Sequence, residues 1–140
     1  MSKPYEFFEH TADIGVHVAG RTLQELFTDA ERAVYETLGD LQKTEDKRQK
    51  TVELRAESRE DLLHDWLTEL LYEVEANHVL YDEIEFTKLT PPHLVAALHG
   101  CSIDFARSKT NQEIKAVTYH QLRVEALPDG TWRARVILDV

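Results

Sequence analysis

One apolar stripe constrains the fold of this chain more than any other feature of its sequence. Between Ser58 and about Ala76, large apolar side chains recur at helical spacing: Leu62, Leu63, Trp66, Leu67, Leu70, Leu71 and Val74. A helix with so wide an apolar face is stable only when that face packs on another layer of structure. The stripe therefore predicts a helix that begins near Ser58 and is buried along one side.

A second helix is predicted over residues 22–38. Thr22 is a suitable N-cap, and Glu25, three residues later, completes a capping box. The apolar residues of this segment share one face at helical spacing: Leu23, Leu26, Phe27, Ala30, Val34 and Leu38. Gly39 follows at the place where such a helix is expected to stop.

Strand patterns occupy most of the remaining chain. Strands are predicted from alternation, or from apolar runs bounded by turn residues, at 14–19, 52–56, 79–89, 93–99, 114–127 and 132–138. Thr90-Pro91-Pro92 and Pro128-Asp129-Gly130 mark turns between neighbouring strands. The charged run 43–50 and the polar run 104–112 are predicted to be loops.

The order of these segments favours one α+β domain that spans residues 1–140. The last strand segments have no helix between them, which is typical of a mostly antiparallel sheet and not of a doubly wound parallel one. We therefore expect a two-layer sandwich in which the two amphipathic helices pack on one face of the sheet. A chain of 140 residues, of which 42% are hydrophobic, is large enough for one such core.

The net charge of the chain indicates which kinds of binding partner are unfavourable. The formal net charge is −10, which disfavours direct, non-specific binding to nucleic acid or to an anionic membrane. An acidic domain can still dock on a basic protein or collect cations. No apolar run approaches the length of about 18 residues that a membrane span needs, and Glu6 and Glu9 interrupt the region of a signal peptide. We therefore expect a cytoplasmic protein.

Motifs of autonomous enzymes are absent from the sequence. It contains no phosphate-binding glycine loop, no nucleophile elbow and no zinc-protease motif. The single cysteine, Cys101, cannot form an internal disulfide and has no cysteine cluster beside it to indicate a zinc site. These observations favour a role other than that of a stand-alone enzyme.

Two aspartates near opposite ends of the sequence form the candidate site. Asp13 directly precedes the first predicted strand, and Asp139 follows the last one, on the face opposite Val136 and Leu138. If these strands are close, both carboxylates and the α-carboxylate of Val140 converge, and such oxygen donors suit Ca²⁺, Mg²⁺ or Mn²⁺. A simpler role is also compatible with the spacing, because Asp13 could be a turn or capping residue.

Three further residues are candidates for supporting roles at this site. His10 lies three residues before Asp13 and could be a ligand or hold the loop in place. Lys115 could approach the aspartates in the fold, and His120 lies within the predicted strand 114–127.

Three stretches of the sequence together resemble the archease family. They are Phe8-Glu-His-Thr-Ala-Asp-Ile-Gly15, the helical segment Asp61-Leu62-Leu63 with Trp66-Leu67 and Glu69-Leu70-Leu71, and Glu113-Ile-Lys-Ala-Val-Thr-Tyr-His120 with the closing Asp139-Val140. They occur in the family's order and extend over almost the whole chain. The chain departs from the family pattern at Gln121, where a glycine is frequent, and at Ser108, where a histidine is frequent.

The resemblance implies an accessory role in RNA ligation. Archeases are cofactor proteins of the GTP-dependent RNA ligase that joins tRNA exon halves, and they promote the guanylylation and repeated turnover of that ligase. The ligase carries the catalytic chemistry and contacts the RNA, while the archease carries a small acidic metal site. If the ligand positions of the family's motifs are transferred to this sequence, the metal ligands are Asp13, Asp139 and Val140.

Two other functions are compatible with the same residues. A metal-dependent enzyme that acts on RNA or phosphate esters could use these carboxylates, and it would turn over its substrate alone with Mg²⁺ or Mn²⁺. A chaperone-like binding module without chemistry would instead stimulate unrelated partners and be indifferent to the aspartates.

Overall fold

The computed structural model describes residues 4–10 and 12–140, with the side chain of His10 outside that part. Within it, two helices and eight strands follow in the order β1 (Tyr5–His10), β2 (Asp13–Gly20), α1 (Leu23–Leu38), β3 (Gly39–Arg55), α2 (Arg59–Asn77), β4 (Val79–Thr90), β5 (His93–Thr110), β6 (Ala116–Val117), β7 (Arg123–Ala126) and β8 (Trp132–Asp139). Among the described residues, no helix is long and apolar enough to cross a membrane.

The strands form two antiparallel sheets. In the five-stranded sheet the order is β1-β2-β8-β6, and β7 also pairs with β8; in the three-stranded sheet β5 lies between β3 and β4. The α+β class and the antiparallel pairing expected from the sequence are confirmed. In the three-stranded sheet both edges of β5 are occupied, by β3 and by β4.

Both predicted helices are confirmed, and side-chain caps explain where they begin. The Thr22 Oγ1 accepts a hydrogen bond from the Glu25 N–H at 3.1 Å, and the Ser58 Oγ accepts one from the Asp61 N–H at 3.0 Å. α1 stops at Gly39, whose φ of 138° is accessible to glycine and whose missing Cβ would collide with the backbone of β5.

The apolar stripe of α2 lies at the centre of the core. Leu62, Leu63, Trp66 and Leu70 are fully buried. The Trp66 indole N–H donates to the Phe27 carbonyl of α1 at 3.2 Å, so a hydrogen bond as well as packing joins the two helices. Because burial of one such side chain contributes about 1.5–3 kcal/mol, the helices and the sheets stabilise each other strongly.

Two segments predicted as loops are strands in the structure. Residues 43–50 lie in β3, and residues 104–110 continue β5, which pairs with the start of β3. The prediction is wrong because β3 is an edge strand whose charged side chains remain mostly in water, a pattern that resembles a loop in sequence. The register of β3 and β5 shifts twice, between Asp40 and Gln42 and between Lys43 and Lys47.

Two further corrections concern the five-stranded sheet. β1 is absent from the sequence-based prediction, because Phe7 and Phe8 are adjacent and point to opposite faces, which hides the alternation. The single strand predicted at 114–127 is also wrong. A turn at His120 and Gln121 divides this segment into β6 and β7.

The carboxylic acid of Glu31, on α1, is buried. Its relative exposure is 1%, and its Oε2 has no hydrogen-bond partner among the described residues. Burial raises the pKa of Glu31 to about 8; Arg32 opposes this shift, and the carboxylates of Asp82 and Asp29 add to it. At neutral pH the side chain is therefore mostly protonated.

This buried acid predicts a pH-dependent stability. The ordinary pKa of the Glu31 carboxyl is 4.5, so between that value and about 8 the folded protein holds a proton that the unfolded chain has lost. The free energy of unfolding therefore falls as the pH rises through this window, by at most about 1.4 kcal/mol per pH unit. The free energy of unfolding is measured by urea titration at about pH 6 and about pH 8. Between these two pH values it should fall much less for Glu31→Gln than for the unchanged protein. An equal fall in the free energy of unfolding of the two proteins would contradict this explanation.

Candidate functional site

A tight hairpin places Asp13 at the start of β2. β1 and β2 pair antiparallel, with His10 opposite Asp13. Ala12 has a φ of 67°, the left-handed conformation that such turns require, and Thr11 lies outside the described residues. A non-glycine residue in this conformation is uncommon and persists only where the surrounding pairing holds it.

The central strands of the five-stranded sheet bring Asp13 and Asp139 together. β2 and β8 pair antiparallel with these two residues directly opposite each other. Directly opposed residues point to the same face of a sheet, with Cβ atoms about 4.5–5.5 Å apart. Both side chains are half-buried. They share the face of the sheet turned away from the helices, here called the outer face, because the neighbouring Val16 and Leu138 point into the core.

The pair concentrates negative charge on the outer face. Like charges directly opposite across a sheet are destabilising, and carboxylate oxygens are the ligands that hard divalent cations prefer. Among the described residues, no three His, Cys, Asp or Glu side chains are grouped closely enough to hold a metal ion. A cation bound by Asp13 and Asp139 would therefore complete its shell with main-chain or water oxygens. Val140 follows Asp139 directly and packs its side chain on the core.

The residues predicted to support the site differ in where the structure places them. The backbone of His10 occupies the register position beside Asp13 on β1, and its side chain lies outside the described part. The Lys115 N–H donates to the Asp139 carbonyl at 2.7 Å and so holds the backbone of the site, while the Lys115 side chain is exposed. The strand predicted around His120 is wrong, since His120 lies in an exposed turn after β6.

An aromatic cluster absent from the sequence-based prediction lies beside the aspartates. The Phe8 ring lies over Gly15, where a Cβ would be 2.2 Å from the ring, and it stacks on His17 at a centroid distance of 4.4 Å. The Arg135 guanidinium lies 6.0 Å from the centroid of the same ring. Ile137, opposite Gly15, is fully buried. A glycine inside a strand pattern is the sequence feature that could have indicated this close approach.

A cleft of about 410 Å³ opens beside Asp13, along the β1–β2 hairpin and the end of α1. Its wall combines apolar and acidic side chains, among them Phe7, Phe8, Ile14, Glu9 and Glu36. Asp13 thus belongs both to the pair on the outer face and to a concave surface that a partner can enter.

Known proteins resemble this chain in sequence and in fold. Residues 5–140 match the model of the archease protein family (MTH1598/TM1083). The chain belongs to the archease family. Among relatives named protein archease, that of Pyrococcus abyssi is 34% identical over 141 residues, which are 99% of each chain. That of Thermococcus gammatolerans is 35% identical over 140 residues, 97% of this chain and 98% of the relative.

Solved structures of archease relatives have the same fold. The solution structure of Methanobacterium thermoautotrophicum protein 1598 matches with a TM-score of 0.75 at 28% identity, covering 98% of this chain and 99% of that one. The crystal structure of a Thermotoga maritima archease, described as a possible chaperone, matches with a TM-score of 0.70 at 26% identity, covering 100% of this chain and 98% of that one. The family resemblance drawn from the motifs is therefore confirmed.

The two departures from the archease pattern occupy defined places in the structure. Gln121 has a φ of 52°, in the left-handed region that favours glycine. The Ser108 Oγ accepts a hydrogen bond from the Gln42 N–H at 2.8 Å and donates to the Asp104 carbonyl at 2.7 Å. Ser108 therefore satisfies backbone groups beside the irregular part of the β3–β5 ladder.

Replacing Gln121 by glycine is expected to stabilise the fold. A left-handed backbone costs a non-glycine residue about 1–2 kcal/mol, and the greater freedom of glycine in the unfolded chain offsets part of that gain. Gln121→Gly should therefore raise the free energy of unfolding by up to about 1 kcal/mol in urea titrations. Gln121→Ala keeps the Cβ and is the control. Equal gains from both variants would show that the backbone conformation is not the cause.

Proposed function

We propose that this archease-family protein is an accessory factor, and not itself an enzyme, that activates a GTP-dependent RNA ligase of the kind that joins tRNA exon halves. It promotes guanylylation of the ligase and its repeated turnover, and it acts through a divalent cation held by Asp13, Asp139 and Val140. The observation that carries this proposal is the register of β2 and β8, which sets Asp13 directly opposite Asp139.

Family membership supports an accessory role. A Thermotoga maritima archease is described as a possible chaperone. The present sequence has none of the nucleotide-binding or nucleophile motifs of an autonomous enzyme. On this proposal the ligase supplies the nucleotide site and the catalytic groups, and the archease contributes the aspartate pair.

The carboxylate oxygens of Asp13 and Asp139 support the binding of a hard divalent cation. Carboxylate oxygens from two adjacent strands suit Ca²⁺, Mg²⁺ or Mn²⁺, with Val140 as the third ligand expected from the motif. When bound, such a cation supplies charge compensation for phosphoryl transfer. Asp13 and Asp139 hold it from opposed register positions. The hydrogen bond from the Lys115 N–H to the Asp139 carbonyl keeps the end of β8 in place.

The charge of the protein supports docking on the ligase and not on RNA. A formal net charge of −10 repels phosphate backbones. A ligase that binds GTP, metal ions and RNA needs a basic surface, and complementary charge accelerates association between proteins. The archease therefore reaches RNA only through the ligase.

Two conservative variants test the aspartates. With a cognate GTP-dependent RNA ligase at limiting GTP and divalent cation, the unchanged protein should raise the amount of guanylylated ligase and the number of ligation turnovers. Asp13→Asn and Asp139→Asn should each reduce this stimulation at least about 10-fold, because changes at metal sites typically cost 10- to 100-fold in affinity or activity. Glu85→Gln changes an exposed carboxylate on β4 and is the matched control.

A measurement without the ligase separates the cation site from the partner. Ca²⁺ or Mn²⁺ should raise the Tm of the unchanged protein and of Glu85→Gln, because a cation that binds only the folded state stabilises it. Neither aspartate variant should show the shift. Full stimulation of the ligase by both aspartate variants would rule out the paired-aspartate mechanism.

Other outcomes point to the alternative functions. Turnover of RNA or phosphate esters by the protein alone with Mg²⁺ or Mn²⁺, lost in both aspartate variants, would identify a metal-dependent enzyme. Equal stimulation of several unrelated proteins by every variant would identify a chaperone-like binding module.

A further inference from the structure

The helices leave one margin of the five-stranded sheet incompletely covered. Phe7 faces the same side of the sheet as its partner Val16, yet Phe7 is 40% exposed and Val16 only 2%. The difference arises because α1 packs mainly on β2 and has few contacts with β1. An aromatic side chain on the core-facing side of a strand is thus left open to solvent.

Two cavities lie on either side of Phe7. One is the 410 Å³ cleft that contains Asp13, and the other, of about 450 Å³, is lined by residues of β1 and by Glu36 of α1. Phe7 and Glu36 belong to both cavities, so the two form one continuous surface. We call this surface the β1 margin and define it by Tyr5, Glu6, Phe7, Glu9, Ile14 and Glu36. The Tyr5 ring meets the Phe7 ring edge-on at a centroid distance of 5.8 Å.

Carboxylates surround the apolar centre of the β1 margin. Three exposed glutamates do so: Glu6, Glu9 and Glu36. Asp13 stands at the end of the same surface. Of the described residues that line the two cavities, none is a lysine or an arginine. The nearby Arg32 of α1 lies 3.4 Å from Asp29, with which it forms an ion pair.

The backbone of β1 adds a third feature, because β1 is the outermost strand of its sheet. An edge strand presents backbone donors and acceptors that an extended segment of another protein can use. Charged side chains on an edge strand oppose indiscriminate pairing. Here Glu6 and Glu9 favour a segment that carries positive charge.

We propose that the β1 margin docks an extended segment of the partner protein in which one apolar anchor is flanked by lysine or arginine. The anchor packs on Phe7 between the two cavities, and the flanking cations pair with Glu9 and Glu36. This inference rests on the proposed function, in which the partner is the ligase. It deepens that function, because a segment docked here lies beside Asp13 and so brings the ligase to the aspartate pair.

Other occupants fit the β1 margin less well. A nucleic acid strand would place its phosphates against the glutamates. A second copy of this chain, related by a two-fold axis, would bring the same carboxylates together across the interface. A neutral apolar peptide would fill the centre but bury part of the acidic rim without partners.

Binding measured by surface plasmon resonance with a cognate ligase tests the docking surface. Phe7→Ser should raise Kd at least about 10-fold, because a central aromatic anchor is a typical hot spot. Glu36→Lys reverses an exposed charge, so it should slow association with the ligase and weaken the dependence of the association rate on salt. Tyr72→Ser and Glu85→Lys are the matched controls; Tyr72 is 57% exposed, and both should bind like the unchanged protein.

Stimulation assays with the same variants distinguish docking from the cation site. At saturating concentration, Phe7→Ser should recover full stimulation of guanylylation, whereas Asp139→Asn should bind the ligase normally and fail to stimulate it. Unchanged binding by both Phe7→Ser and Glu36→Lys would refute docking at the β1 margin and leave the proposed function standing.

Two other results would also decide the matter. If the unchanged protein neither binds nor stimulates the ligase, the docking proposal and the proposed function both fail. If Phe7→Ser instead dissociates a homodimer in solution and leaves binding of the ligase unchanged, the β1 margin is an interface between copies of this chain, and the proposal is overturned.

Discussion

The pairing of β2 with β8 is the interaction on which the rest of the structure depends. It joins the start of the chain to its end, with β1 added on one side and β6 and β7 on the other. On the inner face, the two strands supply buried side chains to the core under the helices, among them Val16, Val18, Val136 and Leu138. On the outer face, the same register sets Asp13 opposite Asp139. One ladder therefore determines both the core and the candidate site.

Because side chains alternate along a strand, this register cannot change at the site without changing the core. A slip of one residue would turn the buried valines to the outer face and separate Asp13 from Asp139. Burial of each valine contributes about 1.5–3 kcal/mol, whereas cross-strand pair effects amount to roughly 0.2–1 kcal/mol. The core thus fixes the positions of the two opposed carboxylates. The aromatic cluster at Phe8 and Gly15 reinforces the outer face beside them.

The sequence predicts the fold best where local chemistry and tertiary packing agree. Thr22 and Ser58 cap the two helices as expected, and the turn at residues 128–130 connects β7 to β8. Prediction fails where a distant partner decides the outcome. Most residues of the charged run 43–50 pair with β5, which lies far from them in the sequence. At the site, motif and alternation identify Asp139 and its face. Which residue lies opposite it depends on the register of the whole sheet, which no local pattern specifies.

Anomalous diffraction from crystals soaked in Mn²⁺ shows whether the opposed aspartates Asp13 and Asp139 form a cation site. This measurement needs neither the ligase nor an activity assay. We expect a peak about 2.0–2.6 Å from carboxylate oxygens of both Asp13 and Asp139, and we expect crystals of Asp139→Asn to lack it. A density map at saturating Mn²⁺ with no peak at the pair, or with a peak that Asp139→Asn leaves unchanged, would show that the two aspartates do not form a cation site.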